Sequence, residues 1–200
     1  ASDGAREAVA WAICNVAGTE EGRSVMATDA VRDVLVGMGV AGAADGVREA
    51  VASAIHNVAF SEEGAQVMAT RGVREVLVAM GVACASDGVR RAVASAIRKI
   101  SVVEEGQRVM ATNAVRDVLV AMGVAGATDG VREAVATAIH EIANSDEGQR
   151  VMATRGVCDV LVAMAVASGS GEVQKMVAAA MFNIALLEAG RRLLARVEVR

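Results

Sequence analysis

The sequence contains no proline and no tyrosine, and aromatics make up only 2% of its 200 residues: two Phe and the single Trp11. Large aromatic anchors are therefore nearly absent, and a core must be assembled from aliphatic side chains, Ala and Met. No excess of one charge sign is present either, since 20 Lys and Arg stand against 24 Asp and Glu for a formal net charge of −4. A partner held mainly through phosphates needs a basic stripe, so no nucleic acid is expected. Long uncharged runs such as Val34 to Ala44 and Val160 to Gly171 are about half of the roughly 20 residues that a spanning helix requires, so no membrane is expected. Cysteine is scarce: Cys14, Cys84 and Cys158 are odd in number and lack metal-ligand spacing, which points to free thiols in a reducing, cytoplasmic or nuclear compartment. There is no initiator Met and no signal peptide before Ala1, as expected of a piece cut from a longer protein. What the chain has in plenty is apolar residues, 54% of the total beside 22% charged, the composition of a chain that folds around a sizeable core.

A shift of 42 residues brings the chain into register with itself. Val-Met-Ala-Thr recurs at Val25, Val67, Val109 and Val151, and Asp-Gly at Asp3, Asp45, Asp87 and Asp129. Residues 43–84 and 127–168 are identical at 30 of 42 positions. Such periodicity marks a solenoid, in which each unit buries its apolar faces only against its neighbours. The spacing divides the chain into a partial unit 1–17, four units 18–59, 60–101, 102–143 and 144–185, and a partial unit 186–200, all in one array.

Within residues 60–101, Ser61 reads as an N-cap and Glu62-Glu63 favours a helix start, predicting a short first helix to about Thr70 that Gly72 breaks. Val73, Val76, Leu77 and Met80 then step as one stripe of a second helix. Asp87 reads as the cap of a third, with Val89, Ala92, Val93, Ala96, Ile97 and Ile100 as its buried stripe. The Met columns are read as core filling and the Asp-Gly and Glu-Glu-Gly phrases as caps and turns, with neither a cofactor nor a metal implied.

A 42-residue unit of one short and two longer helices resembles the armadillo repeat over essentially the whole chain, most specifically in the third-helix phrase Ala8 to Ala17 with Trp11 and Asn15 four residues apart. The resemblance implies an all-α, right-handed superhelical solenoid. In that family the Trp and Asn line a concave groove and hold an extended peptide, so Trp11 and Asn15 become candidate contacts. The Asn column continues as Asn57, Lys99, Glu141 and Asn183, and the Trp column as Ser53, Ser95, Thr137 and Ala179, so only the first copy keeps both residues. Proline, which armadillo proteins often place at the start of the second helix, is replaced by Arg32, Arg74, Arg116 and Cys158.

Because the copies are so alike, the columns in which they differ are informative. On the third helix these are Glu7, Glu49, Arg91, Glu133 and Lys175; the Trp11 column; Cys14, His56, Arg98, His140 and Phe182; the Asn15 column; and then Gly18, Phe60, Val102, Asn144 and Leu186. The first four columns step i, i+4, i+7 and i+8, one side of one helix, so side-by-side third helices would tile them into a strip. Other columns read as exposed hardly vary, among them Arg6, Arg48, Arg90 and Arg132, and the acidic Asp33, Glu75, Asp117 and Asp159. Free drift would scatter more widely. The strip is zoned, basic at Arg91, Arg98 and Lys99 and acidic at Glu133 and Glu141.

Helices about 8–10 Å apart would each meet two or three residues of an extended peptide advancing about 3.3–3.6 Å per residue. These residues, with Asn183, therefore predict a non-enzymatic scaffold for an extended protein segment carrying an acidic residue opposite the third copy and a basic one opposite the fourth. For catalysis the inventory is thin: His56 and His140 sit in one column two copies apart, about 20 Å by the helix spacing, too far to share a proton or a metal. The alternative is a structural spacer or self-associating segment. Leu186, Leu187, Leu193 and Leu194 load the last partial unit and no polar N-terminal capping unit of the array is visible, so end-to-end contact is the expectation for the isolated chain.

Overall fold

A computed structural model describes residues 2–39, 42–84, 86–124 and 126–196. The chain starts with α1 (Asp3–Val16), α2 (Glu20–Met26) and α3 (Asp29–Met38), then α4 (Asp45–Val58), α5 (Glu62–Met68) and α6 (Arg71–Ala83). It continues with α7 (Asp87–Ile100), α8 (Glu104–Met110), α9 (Asn113–Gly123), α10 (Asp129–Ile142) and α11 (Asp146–Met152). It ends with α12 (Arg155–Ala167), α13 (Gly171–Ala185) and α14 (Glu188–Leu194). Among the described residues there is no strand, and none of the helices is long and apolar enough to cross a membrane.

Three layers result. The third helices α1, α4, α7, α10 and α13 lie next to one another in that order, as do the second helices α3, α6, α9 and α12 and the short helices α2, α5, α8 and α11. Each second helix also packs on the third helix that follows it. The stripes predicted for α6 and α7 are buried throughout, and the columns Leu35, Leu77, Leu119 and Leu161 are fully enclosed between layers. Met68, Met80, Met110, Met122, Met152 and Met164 are buried in the same core, as the Met reading expects.

Local chemistry sets the helix boundaries, and several differ from the sequence reading. The short helix ends at Met68 rather than near Thr70, and Gly72 breaks nothing because it is the second residue of α6. The break is made by Thr70, whose hydroxyl accepts from the Val73 N–H, as Thr28, Thr112 and Thr154 accept from Val31, Val115 and Val157. Those threonines are the start signal that proline would otherwise give; Arg32, Arg74, Arg116 and Cys158 stand three residues inside their helices, not at the start. Ser86 rather than Asp87 caps α7, accepting from the Val89 N–H, and Asp87 is its first residue. The Asp-Gly and Glu-Glu-Gly phrases accordingly lie in first helical turns, not in turns between elements.

The glycine of Glu-Glu-Gly is there for space. A Cβ at Gly22, Gly64, Gly106 or Gly148 would come within 1.8 Å of the Val16, Val58, Ile100 or Ile142 carbonyl oxygen. Only a residue without a side chain lets the short helix fold back so tightly on the third helix before it.

Candidate functional site

The variable columns occupy the third-helix layer, and the structure gathers part of them around one hollow. Trp11 and Cys14 of α1, Glu49, Ser53, His56 and Asn57 of α4, and Arg91 and Ser95 of α7 line a pocket of about 280 Å³. Six residues proposed from the sequence, Trp11, Glu49, Ser53, His56, Asn57 and Arg91, thus meet across three successive copies. Trp11, the only tryptophan, keeps 36% of its surface open there. Arg98, Lys99, Glu133, His140, Glu141 and Asn183 lie further along the same layer on α7, α10 and α13, outside this pocket, and Glu7 and Asn15 lie on α1.

The strip is not uniformly open. Glu133, Asn15 and Arg91 are exposed; Glu7, Glu49, Ser53, His56, Asn57, Arg98, Lys99, His140 and Glu141 are half-buried; Cys14, Thr137 and Asn183 are buried. The polar residues among them join one third helix to the next. At the end of α1 the last turn closes by the Gly18 N–H donating to the Asn15 carbonyl, which leaves the Cys14 carbonyl for the next copy. The Asn57 Nδ2 group donates to that oxygen at 2.9 Å and to the Cys14 Sγ at 3.2 Å. Asn183 repeats the arrangement against α10, its Nδ2 donating to the His140 oxygen at 3.2 Å and to Asn144 Oδ1 at 2.6 Å.

Histidines of one column are held differently. His56 Nδ1 lies 3.2 Å from the Ser95 carbonyl, which can only accept, so Nδ1 carries the proton. His140 Nδ1 lies 3.0 Å from the Asn183 amide nitrogen, whose two hydrogens serve the His140 carbonyl and Asn144 Oδ1. Burial lowers the His56 pKa, and the Arg98 and Lys99 charges push the same way against the Ser95 bond. Burial raises the Cys14 and Cys158 thiols, and all three cysteines are free. Cys158 is fully enclosed although its column holds half-buried Arg32, Arg74 and Arg116 in the other copies.

Charge pairing separates the scaffold from the strip. Arg6, Arg48, Arg90 and Arg132 each reach the Asp three residues earlier, Arg48 at 2.7 Å and Arg132 at 2.7 Å. Their constancy is structural, since these side chains are largely covered rather than exposed as the sequence reading had them. The constant acidic column is open as expected, with Asp33 and Asp117 beside Arg32 and Arg116. By contrast, Arg91, Arg98, Lys99 and Arg23 have no carboxylate within ion-pair distance among the described residues. Glu7 and Glu49 lie against the first turns of α4 and α7, where a Cβ at Gly46 or Gly88 would meet their carboxylates at 2.7 Å and 2.5 Å. A negative charge is favoured at those positive helix ends. Among the described residues, no group of three His, Cys, Asp or Glu could hold a metal ion.

Sequence reasoning missed the next feature. Lys99 Nζ stands 3.7 Å and the Arg23 guanidinium 4.9 Å from the centre of the Phe60 ring, and the His56 ring meets the same ring edge-on at 6.3 Å. Phe60 sits in a variable column, which was the available signal, but Arg23 comes from a short helix that the column argument did not cover.

No protein-family model and no curated protein matches the chain. Among solved structures, a designed armadillo repeat protein is 22% identical with a TM-score of 0.82, the match covering 96% of this chain and 82% of that one. One of a set of computationally designed armadillo repeat proteins for modular peptide recognition is 22% identical at a TM-score of 0.82, covering 96% and 81% of the two chains. A designed armadillo repeat protein in complex with the peptide (KR)4 is 22% identical at a TM-score of 0.80, covering 94% and 79%. The fold is therefore an all-α solenoid of armadillo type.

Proposed function

We propose that this chain is a non-enzymatic scaffold that holds an extended protein segment along its third-helix face. The observation that carries the reading is the pocket at which Trp11, Glu49, Ser53, His56, Asn57 and Arg91 converge from three successive helices. An extended chain crossing it would meet an aromatic face, two carbonyl-tying polar side chains and a free cation within one hollow. The unpaired Arg91, Arg98 and Lys99 call for an acidic residue opposite the third copy, and Glu133 and Glu141 for a basic one opposite the fourth. Peptide binding by the designed neighbour that carries (KR)4 supports the mode. Its ligand, basic at every position, does not suit the third copy here.

Within the strip the asparagines have a narrower part than their chemistry alone allows. Asn57 commits its donors to the preceding third helix and meets a ligand through Oδ1, the buried Asn183 serves to hold His140 and Asn144, and Asn15 is exposed and keeps both functions. The test is selection of linear peptides from a display library on the full chain, followed by titration of the selected peptide. Arg91→Glu combined with Arg98→Glu should weaken binding about tenfold or more, since charges facing a ligand contribute on this scale when desolvated. A selected peptide indifferent to that reversal would remove the strip from the account.

A spacer that joins other copies end to end is the second reading, and one observation favours it. Val9 and Val16 of α1 are exposed, while their counterparts Val51, Val93 and Val135, and Val58, Ile100 and Ile142, are fully buried. Light scattering over a concentration series separates the two, with concentration-dependent mass expected from the spacer alone.

A further inference from the structure

Where each third helix turns into a short helix, the variable column Gly18, Phe60, Val102, Asn144, Leu186 lies open. Two neighbouring copies, and no other two in succession, place large apolar side chains there: Phe60 and Val102, 53% and 59% exposed. Between their corners runs a groove of about 740 Å³, within the range of pockets that bind ligands. Its floor includes Ala59, Ala65 and Val103, and the Lys99 ammonium stands over the Phe60 ring beside it.

The charges around the groove are ordered. Lys99, with Arg98 next to it and Arg23 across the ring, has no carboxylate within ion-pair distance among the described residues, whereas Arg108 at the other side is already paired with Glu105. Arg98 and Arg23 repel the Lys99 ammonium and the Glu141 carboxylate acts on it only from beyond ion-pair distance, so a carboxylate arriving beside Lys99 relieves the crowding of cations. From Lys99 the chain passes Val102 to Glu104, and in the neighbouring corner it passes from Phe60 to Glu62. Lys99 thus lies at the third-helix side of the groove, and Glu62 and Glu104 begin its short-helix side, where Arg108 is already paired with Glu105.

We infer that this corner groove is a second recognition site, which takes one apolar side chain of an extended protein segment on Phe60 and Val102, with a carboxylate of that segment beside Lys99 and a basic residue toward Glu62 and Glu104. The inference rests on the scaffold reading above and extends it, because Lys99 belongs to both the strip and the groove. Exposed apolar residues that are ringed by charge and adjoin a peptide-binding face are the usual composition of an anchor pocket. The occupant is a partner's segment of the order acidic, apolar, basic.

The test uses the full chain and peptides selected on it from a random linear library, titrated by fluorescence anisotropy. The variants are Phe60→Asn, Val102→Asn and Lys99→Glu, each importing the residue another copy carries in the same column, Asn144 or Glu141, so the fold is retained; circular dichroism melting verifies this. The selected peptides should carry an apolar residue beside Asp or Glu, and Phe60→Asn should weaken them about tenfold or more. Lys99→Glu should weaken them as well, and exchanging the peptide's acidic residue for Lys should restore binding to that variant. Affinities within about twofold of wild type for both Asn variants overturn the inference. If Arg91→Glu weakens binding while Phe60→Asn does not, the strip reading stands and the groove falls. A library that yields no binder overturns both. A change of oligomeric mass with Phe60→Asn and no effect on peptides assigns the groove to a second copy and overturns it too.

Discussion

His56, a residue of the proposed recognition strip, also ties two third helices together. Its Nδ1–H ties α4 to the Ser95 carbonyl of α7, and burial with the adjacent Arg98 and Lys99 charges keeps the ring neutral. The folded pKa lies below the ordinary value of about 6.5, so on acidification the unfolded chain takes up the proton first. The stability this residue contributes is complete above that ordinary value and is lost as pH falls from it through the folded value. Denaturant unfolding at about pH 8 and about pH 5 checks the sign: wild type should lose more stability on acidification than His56→Gln, which keeps a donor but no titrating group. Equal losses in the two proteins would contradict the assignment.

Helix starts are where the copies differ in ways that stability measures directly. Thr19, Ser61 and Ser145 cap α2, α5 and α11 by accepting from Gly22, Gly64 and Gly148, but Val103 leaves α8 without a side-chain cap. Val103→Thr preserves the shape of the side chain that packs on the core and supplies the missing oxygen, so it should raise the unfolding free energy by about 1 kcal/mol. Urea unfolding with unchanged slope reads this; a destabilised variant would show that the hydroxyl is buried without its bond. The helical spacing of apolar residues made α6 and α7 legible in the sequence, down to each predicted member of their stripes. The boundaries were less so, because Thr70 and Ser86 announce a helix by a single hydroxyl, whereas Gly72 and Asp87 carry the stronger conventional signals. The ties made by Asn57 and Asn183 were not legible at all. They depend on which carbonyl the last turn of the preceding helix leaves without a backbone donor, and no residue type encodes that at a distance of 43 positions.

Across the whole molecule, repetition fixes the architecture, and the proposed function rests on its breaches. A strict step of 42 residues forces identical neighbours into identical contacts, so Leu35, Leu77, Leu119 and Leu161 build one continuous core. The departures collect on the third-helix layer, where Arg91, Arg98 and Lys99 have no carboxylate within ion-pair distance among the described residues, while Arg6, Arg48, Arg90 and Arg132 are matched with carboxylates within their own helices. Six of the sequence-derived contact residues share one hollow, yet the variable columns also serve the packing of neighbouring units, since His56, Asn57 and Asn183 bond to an adjacent third helix. Glu7 and Glu49 likewise face the starts of the next third helices. The central claim is that a ligand lies across the pocket of α1, α4 and α7, and the single Trp11 in its wall reports on it. Titrating the library-selected peptide, itself free of Trp, into the full chain while recording tryptophan emission tests this most directly. The account predicts a saturable blue shift with the same midpoint as the anisotropy titration; binding by anisotropy with Trp11 emission unchanged would contradict it.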